Sequence, residues 1–121
     1  MLALTTVGNV RAGKVLARAL LAERLCACVS IVPSVRSLYR WKGRIEDAAE
    51  VLLLLKTTEG CLPALSRRLA QLHPYTLPEF VVLEPSRVSK SYARWLSAET
   101  AQQGVKKTPI TPGSRSNGPR G

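Results

Sequence analysis

Residues 28–57 read CVSIVPSVRSLYRWKGRIEDAAEVLLLLKT, and their alternation decides the architecture. Val29, Ile31 and Val32 are β-formers. From Val35 to Trp41 the chain alternates, with Val35, Ser37, Tyr39 and Trp41 on one face and Arg36, Leu38 and Arg40 on the other, because strand residues two apart point the same way. Pro33 has no N–H, so it belongs on an edge strand or at a bulge. Lys42-Gly43 predicts a tight turn, and a second strand runs from Arg44 to Thr57. Its Val51–Leu55 run is apolar on both faces, as in a strand inside a sheet. The result is a long β-hairpin that stands out at its Tyr39–Glu46 tip.

The flanks supply the rest. Leu2 to Val7 reads as a strand, and Gly8-Asn9 breaks it, with Asn9 placed to cap a helix. Ala12, Val15, Leu16, Ala19 and Leu20 follow the rhythm of an amphipathic helix over about 10–25, with Lys14, Arg18 and Glu23 on its other face. Thr58 to Leu72 is helical again, striped by Leu62, Leu65, Leu69 and Leu72, with Pro63 tolerated in the first turn. His73-Pro74 ends it. Leu77 to Leu83 is a last strand stopped by Pro85, and Ser89 caps a short helix carrying Tyr92, Trp95 and Leu96. The order β-α-β-β-α-β plus a C-terminal helix is α+β, the ferredoxin-like split βαβ sandwich on an antiparallel sheet. Its first and third strands lie inside, its second and fourth at the edges, and both helices cover one face. The bare face and the long 28–41 edge then need a cover, and self-association through closed symmetry supplies it.

Composition sets the limits. With 121 residues, 45% of them hydrophobic and 21% charged, the chain reads as one globular domain. No apolar run approaches the roughly 18 residues of a membrane span, and no basic n-region or long apolar segment marks a secretory signal. A cytoplasmic protein without a membrane span is expected. Of the net charge of +10, four units lie on Lys106, Lys107, Arg115 and Arg120, in a stretch without acids. A domain over 1–100 followed by a disordered basic tail over 101–121 is therefore expected, since a Pro-, Gly-, Ser- and Thr-rich tail buries too little to offset its ordering entropy.

Few residues promise chemistry. GxGxxG and GxxxxGK[ST] loops are absent. One histidine, His73, and no acid at a recognisable spacing argue against Ser/His/Asp catalysis, so no enzyme is expected. Arg36, Arg40, Lys42 and Arg44 form the one basic cluster, but the strands lack the aromatic pairs on which RNA bases stack, and nucleic acid is not the expected partner. Cys26-Ala-Cys28 sets two thiols on one side of an extended chain, an incomplete soft-metal site. Cys28 reads more simply as a small core hydrophobe. Cys61 near a helix start has no evident base partner, Glu79 reads as an exposed carboxylate, and His73 as a helix-end cap.

The residues do carry a resemblance. Cys28–Glu46 (CVSIVPSVRSLYRWKGRIE), Glu50–Thr57 (EVLLLLKT) and Leu72–Glu79 (LHPYTLPE), together with Ala17–Leu25 (ARALLAERL) and Tyr92–Leu96 (YARWL), resemble the CutA family of divalent-cation-tolerance proteins. The likeness spans about residues 2–100. It implies a ferredoxin-like homotrimer, similar in fold to PII signalling proteins and paired through strands between subunits. It also implies a link to copper and other divalent metals, no firmly attached enzymatic reaction and, in animal members, a protein partner related to acetylcholinesterase anchoring and processing.

The chain departs from that pattern where it matters. The family's proposed copper site uses a cysteine late in the first strand and two adjacent histidines before Pro-Tyr. Thr5, Leu72 and His73 stand there instead, so His73 is the one metal-ligand candidate left. Copper(II) wants two or more nitrogen or thiolate ligands in fixed geometry. The expectation is weak, non-stoichiometric copper binding, no tighter than about micromolar, with no other cofactor. Against a non-enzymatic trimeric scaffold stand two alternatives, a PII-like regulatory trimer that binds a small molecule and a basic nucleic-acid binder.

Overall fold

The computed structural model describes residues 1–101; the expected basic tail lies, from residue 102 on, outside the described residues. The elements are β1 (Leu2–Val7), α1 (Val10–Ala22), β2 (Cys28–Trp41), β3 (Arg44–Lys56), a 3-10 turn (Glu59–Cys61), α2 (Leu62–Leu72), β4 (Val81–Leu83) and α3 (Lys90–Glu99). The sheet is antiparallel in the order β2-β3-β1-β4, so β1 and β3 lie inside and β2 and β4 at the edges, as the pattern predicts.

Local chemistry explains each boundary. Asn9 caps α1 by accepting from the Ala12 N–H at 2.8 Å. The helix stops at Ala22, short of the expected residue 25, because Arg24 turns left-handed at φ 60°. The Arg24 and Leu25 amides then donate back to the Leu21 and Leu20 carbonyls, a Schellman close that turns Leu25 into the core. Lys42 (φ 51°) and Gly43 (φ 79°) are both left-handed, the two-residue I′ turn whose twist matches a hairpin. The β2–β3 register shifts between Val32 and Val35, so Pro33 sits at a bulge on an edge strand.

The last strand is a correction. It runs only from Val81 to Leu83, not from Leu77, and pairs with Leu2–Leu4. The Met1 carbonyl accepts the N–H of Thr57, just past the end of β3, so the alternating backbone of β1 turns the backbone groups of Leu2, Leu4 and Thr6 toward the β4 edge. The Thr6 carbonyl, which a longer β4 would use, is taken by the His73 ring at 2.8 Å.

Leu53, Leu55, Ala3 and Val7 on one sheet face pack with Leu16 and Leu20 of α1 and Leu65 and Leu69 of α2 into the core. Gly13 lets α1 approach: a Cβ there would lie 3.2 Å from a Leu53 methyl. The other sheet face has no helix over it. Val32, Val81 and Leu83 stand exposed there, beside half-buried Leu4, Leu52 and Leu54. Among the described residues, no helix is long and apolar enough to cross a membrane.

Candidate functional site

His73 begins the site. It ends α2, its backbone N–H donating to the Leu69 carbonyl at 2.8 Å, because Pro74 forces it out of helical geometry. The ring is buried and used on both sides. Nδ1 accepts the Tyr75 backbone N–H at 3.1 Å, so it carries a lone pair, and Nε2, 2.8 Å from the Thr6 carbonyl, must then carry the proton. That tautomer follows from the partners. Neither nitrogen is free for a metal while these bonds stand.

Tyr75 continues the chain of contacts. Its ring lies 4.8 Å from that of His73, and its hydroxyl donates to Glu50 Oε2 at 2.6 Å. Burial first, and then the bond to Glu50, push the phenol well above the usual tyrosine range. Glu50 stands where β3 leaves β1, since Val51 is its last residue paired to Val7. The Thr6–His73–Tyr75–Glu50 relay thus ties the end of α2 to the root of the hairpin.

The positions that the resemblance assigns to copper gather near one end of β1 without becoming a ligand set. Thr5 is fully buried on the helix-covered face, and its hydroxyl has no hydrogen-bond partner. Leu72 offers no donor. Cys28 is brought to the other end: it pairs with Lys56, which pairs with Leu2, four β1 residues or about 13 Å from Thr6. No group of three or more His, Cys, Asp or Glu among the described residues could hold a metal ion. These residues do not fit a copper centre within one chain.

The cysteines differ from expectation. Cys28 is no core residue; it lies half-buried on the bare face, where Lys56 Nζ donates to its Sγ at 3.6 Å and to Ser30 Oγ at 2.7 Å. Cys26 is the core thiol, pushed up to about 12 by burial, with Cys28 and Cys61 adding to it. Cys61 is also buried and donates to the Ala101 carbonyl at 3.0 Å. Glu79 is exposed.

The hairpin projects beyond the rest of the sheet. Arg44 to Glu50 pairs with β2 alone, so seven residues, roughly 24 Å of strand, project past β1. Leu38 (66% exposed) and Ile45 (70%) crown one face, Tyr39 and Trp41 the other. Lys42 Nζ lies 5.9 Å over the Trp41 ring, and Arg36 pairs with Asp47 at 2.8 Å in the open.

Sequence reasoning found His73 and the hairpin but missed Tyr75 and Glu50. The one available signal was His-Pro-Tyr, which holds a tyrosine two residues past a helix-ending histidine.

Residues 1–99 match the family described as CutA1 divalent ion tolerance protein. A divalent-cation tolerance protein CutA from Thermus thermophilus is 44% identical over 97 residues, covering 80% of this chain and 94% of the relative. The human protein CutA is 37% identical over 98 residues, 81% of this chain and 55% of the relative. The chain thus spans about half the length of its mouse and human relatives. A solved structure of the Thermus thermophilus protein superposes with a TM-score of 0.80 at 43% identity, covering 83% of this chain and 97% of that one. A PII-like protein CutA from a Nostoc species superposes with a TM-score of 0.78 at 37% identity, covering 84% and 97%.

Proposed function

The chain belongs to the CutA1 divalent ion tolerance family, and from that premise we propose that it is a non-enzymatic homotrimeric scaffold in the response to divalent metal ions. The bare sheet face carries this reading. Apolar side chains on all four strands and the open β2 edge lie uncovered in one chain, and a closed assembly of copies covers both without creating a new edge. We place the metal link in the assembly and in the protein partner it binds rather than in copper held by one chain, because both His73 nitrogens are engaged and Thr5 and Leu72 offer no strong ligand. The proposed compartment is the cytoplasm.

Cys28 reports on the cover. It is the one thiol of three that is not buried in the single chain, so assembly should make it slow to alkylate with a maleimide, and rapid labelling of the native protein would overturn the reading. Copper titration calorimetry on the native chain and on His73→Ala should show affinity no tighter than about micromolar for both. Tight binding at one copper per chain, lost in the variant, would reverse the metal conclusion. A second reading, a regulatory trimer that binds a small molecule, draws on the Nostoc neighbour described as PII-like. A thermal-shift screen of nucleotides and amino acids separates the two, since a true ligand raises apparent stability by mass action.

A further inference from the structure

We propose that the outer face of α1, with the groove between it and the end of α2, is a docking site for an acidic amphipathic segment of a partner protein. Arg11, Lys14 and Arg18 all stand exposed on α1, at the i, i+3, i+7 spacing of one helix face. The helix holds no acidic residue from Val10 to Ala22, and none of the three cations forms an ion pair among the described residues. Like charges three and four apart destabilise a helix. The fold therefore gains nothing from this arrangement.

An apolar surface borders the charges. Val15, 67% exposed, lies at the edge of the charged stripe, one turn from Arg11 and Arg18. It forms one wall of a groove of about 420 Å³ with Ala12, Leu16 and Ala19 of α1, closed on the far side by Leu72 and Pro74, and Arg11 stands at its rim. Ala12 to Ala19 spans roughly 11 Å of helix, enough to seat aliphatic side chains from two turns of a partner.

Charge and shape select the occupant. The chain's own residues beyond 101 carry Lys106, Lys107, Arg115 and Arg120 and no acid, so the cationic rim repels them. A second copy docked by a twofold axis would set Arg11, Lys14 and Arg18 against their own equivalents. Nucleic acid would satisfy the cations, but the groove walls are aliphatic and offer no aromatic ring for a base to stack on. Acidic side chains at the rim with leucine-like anchors in the groove satisfy both features, the helix-in-groove mode. The site is on the helix side of the sheet, opposite the bare face that the proposed assembly covers, so the proposal does not depend on that assembly.

Fluorescence anisotropy on the full chain tests this with a labelled leucine–glutamate peptide of about fifteen residues, its leucines at i, i+3, i+4 and i+7. Two competitors of equal charge accompany it, a glutamate-only peptide and a single-stranded oligonucleotide. The leucine–glutamate peptide should bind saturably and at least about tenfold more tightly than either competitor. The double variant Arg11→Glu/Lys14→Glu should weaken it at least about tenfold, and Val15→Ser several-fold with an unchanged salt dependence. Arg40→Glu on the hairpin should leave it unchanged. All four positions are exposed, and an unchanged circular dichroism spectrum confirms that the variants fold. No saturable binding, equal binding of the glutamate-only peptide, tighter binding of the oligonucleotide, or an equal loss on Arg40→Glu would each overturn the proposal.

Discussion

Thr5 is a buried hydroxyl with no partner, on the face that α1 and α2 cover. An unpaired buried polar group costs about 1–3 kcal/mol, while its replacement by an apolar group of the same shape removes that cost. Thr5→Val should therefore raise stability by about 1 kcal/mol in urea unfolding, and a clear loss would show that the hydroxyl is bonded. Single residues were also where the sequence spoke least. His73 was legible as a helix end, because proline follows it. Its ring bond to Thr6, 67 residues away, was not, because no local pattern encodes a contact set by how α2 lies across β1. Cys28 was misplaced in the core for a related reason. Alternation sorts residues into two faces but does not say which face the helices cover, and Lys56, which identifies the bare one, becomes its neighbour only through strand register.

At the scale of elements, the long hairpin, both inner strands and the two covering helices were legible, since each rests on a period, a cap or a turn within a few residues. The short β4 was not, because what limits it is the Thr6 carbonyl already bonded by His73. The Tyr75–Glu50 bond that fastens the end of α2 to the hairpin root has a measurable pH consequence. Burial, followed by the Glu50 hydrogen bond, raises the Tyr75 pKa in the folded chain. A phenol so raised keeps its contribution below the unfolded value near 10 and loses it as pH climbs further. Native protein should lose urea resistance above about pH 10 more steeply than Tyr75→Phe, and parallel slopes would show that the hydroxyl is not held as described. The hairpin itself carries a second expectation. Val35 lies on the same face as Tyr39 and Trp41, opposite Glu50. Val35→Glu would set a second carboxylate directly across from Glu50 and bury an unpaired charge wherever another copy covers that face, at a cost of several kcal/mol. Gel filtration should show the variant as smaller species, and an unchanged elution volume would remove the hairpin from the interface.

For the whole molecule, two faces divide the work. The helix side holds the core and presents the basic stripe of Arg11, Lys14 and Arg18. The sheet side presents Val32, Val81 and Leu83 and the open β2 edge to whatever covers them. Membership of the CutA1 divalent ion tolerance family and the likeness to solved members agree with a cover made of further copies, and this is the central claim. Multi-angle light scattering on the native full chain tests it most directly. With a chain mass of 13.2 kDa, the account predicts one species near 40 kDa across a wide concentration range, whereas a stable, monodisperse species at the mass of a single chain would contradict it.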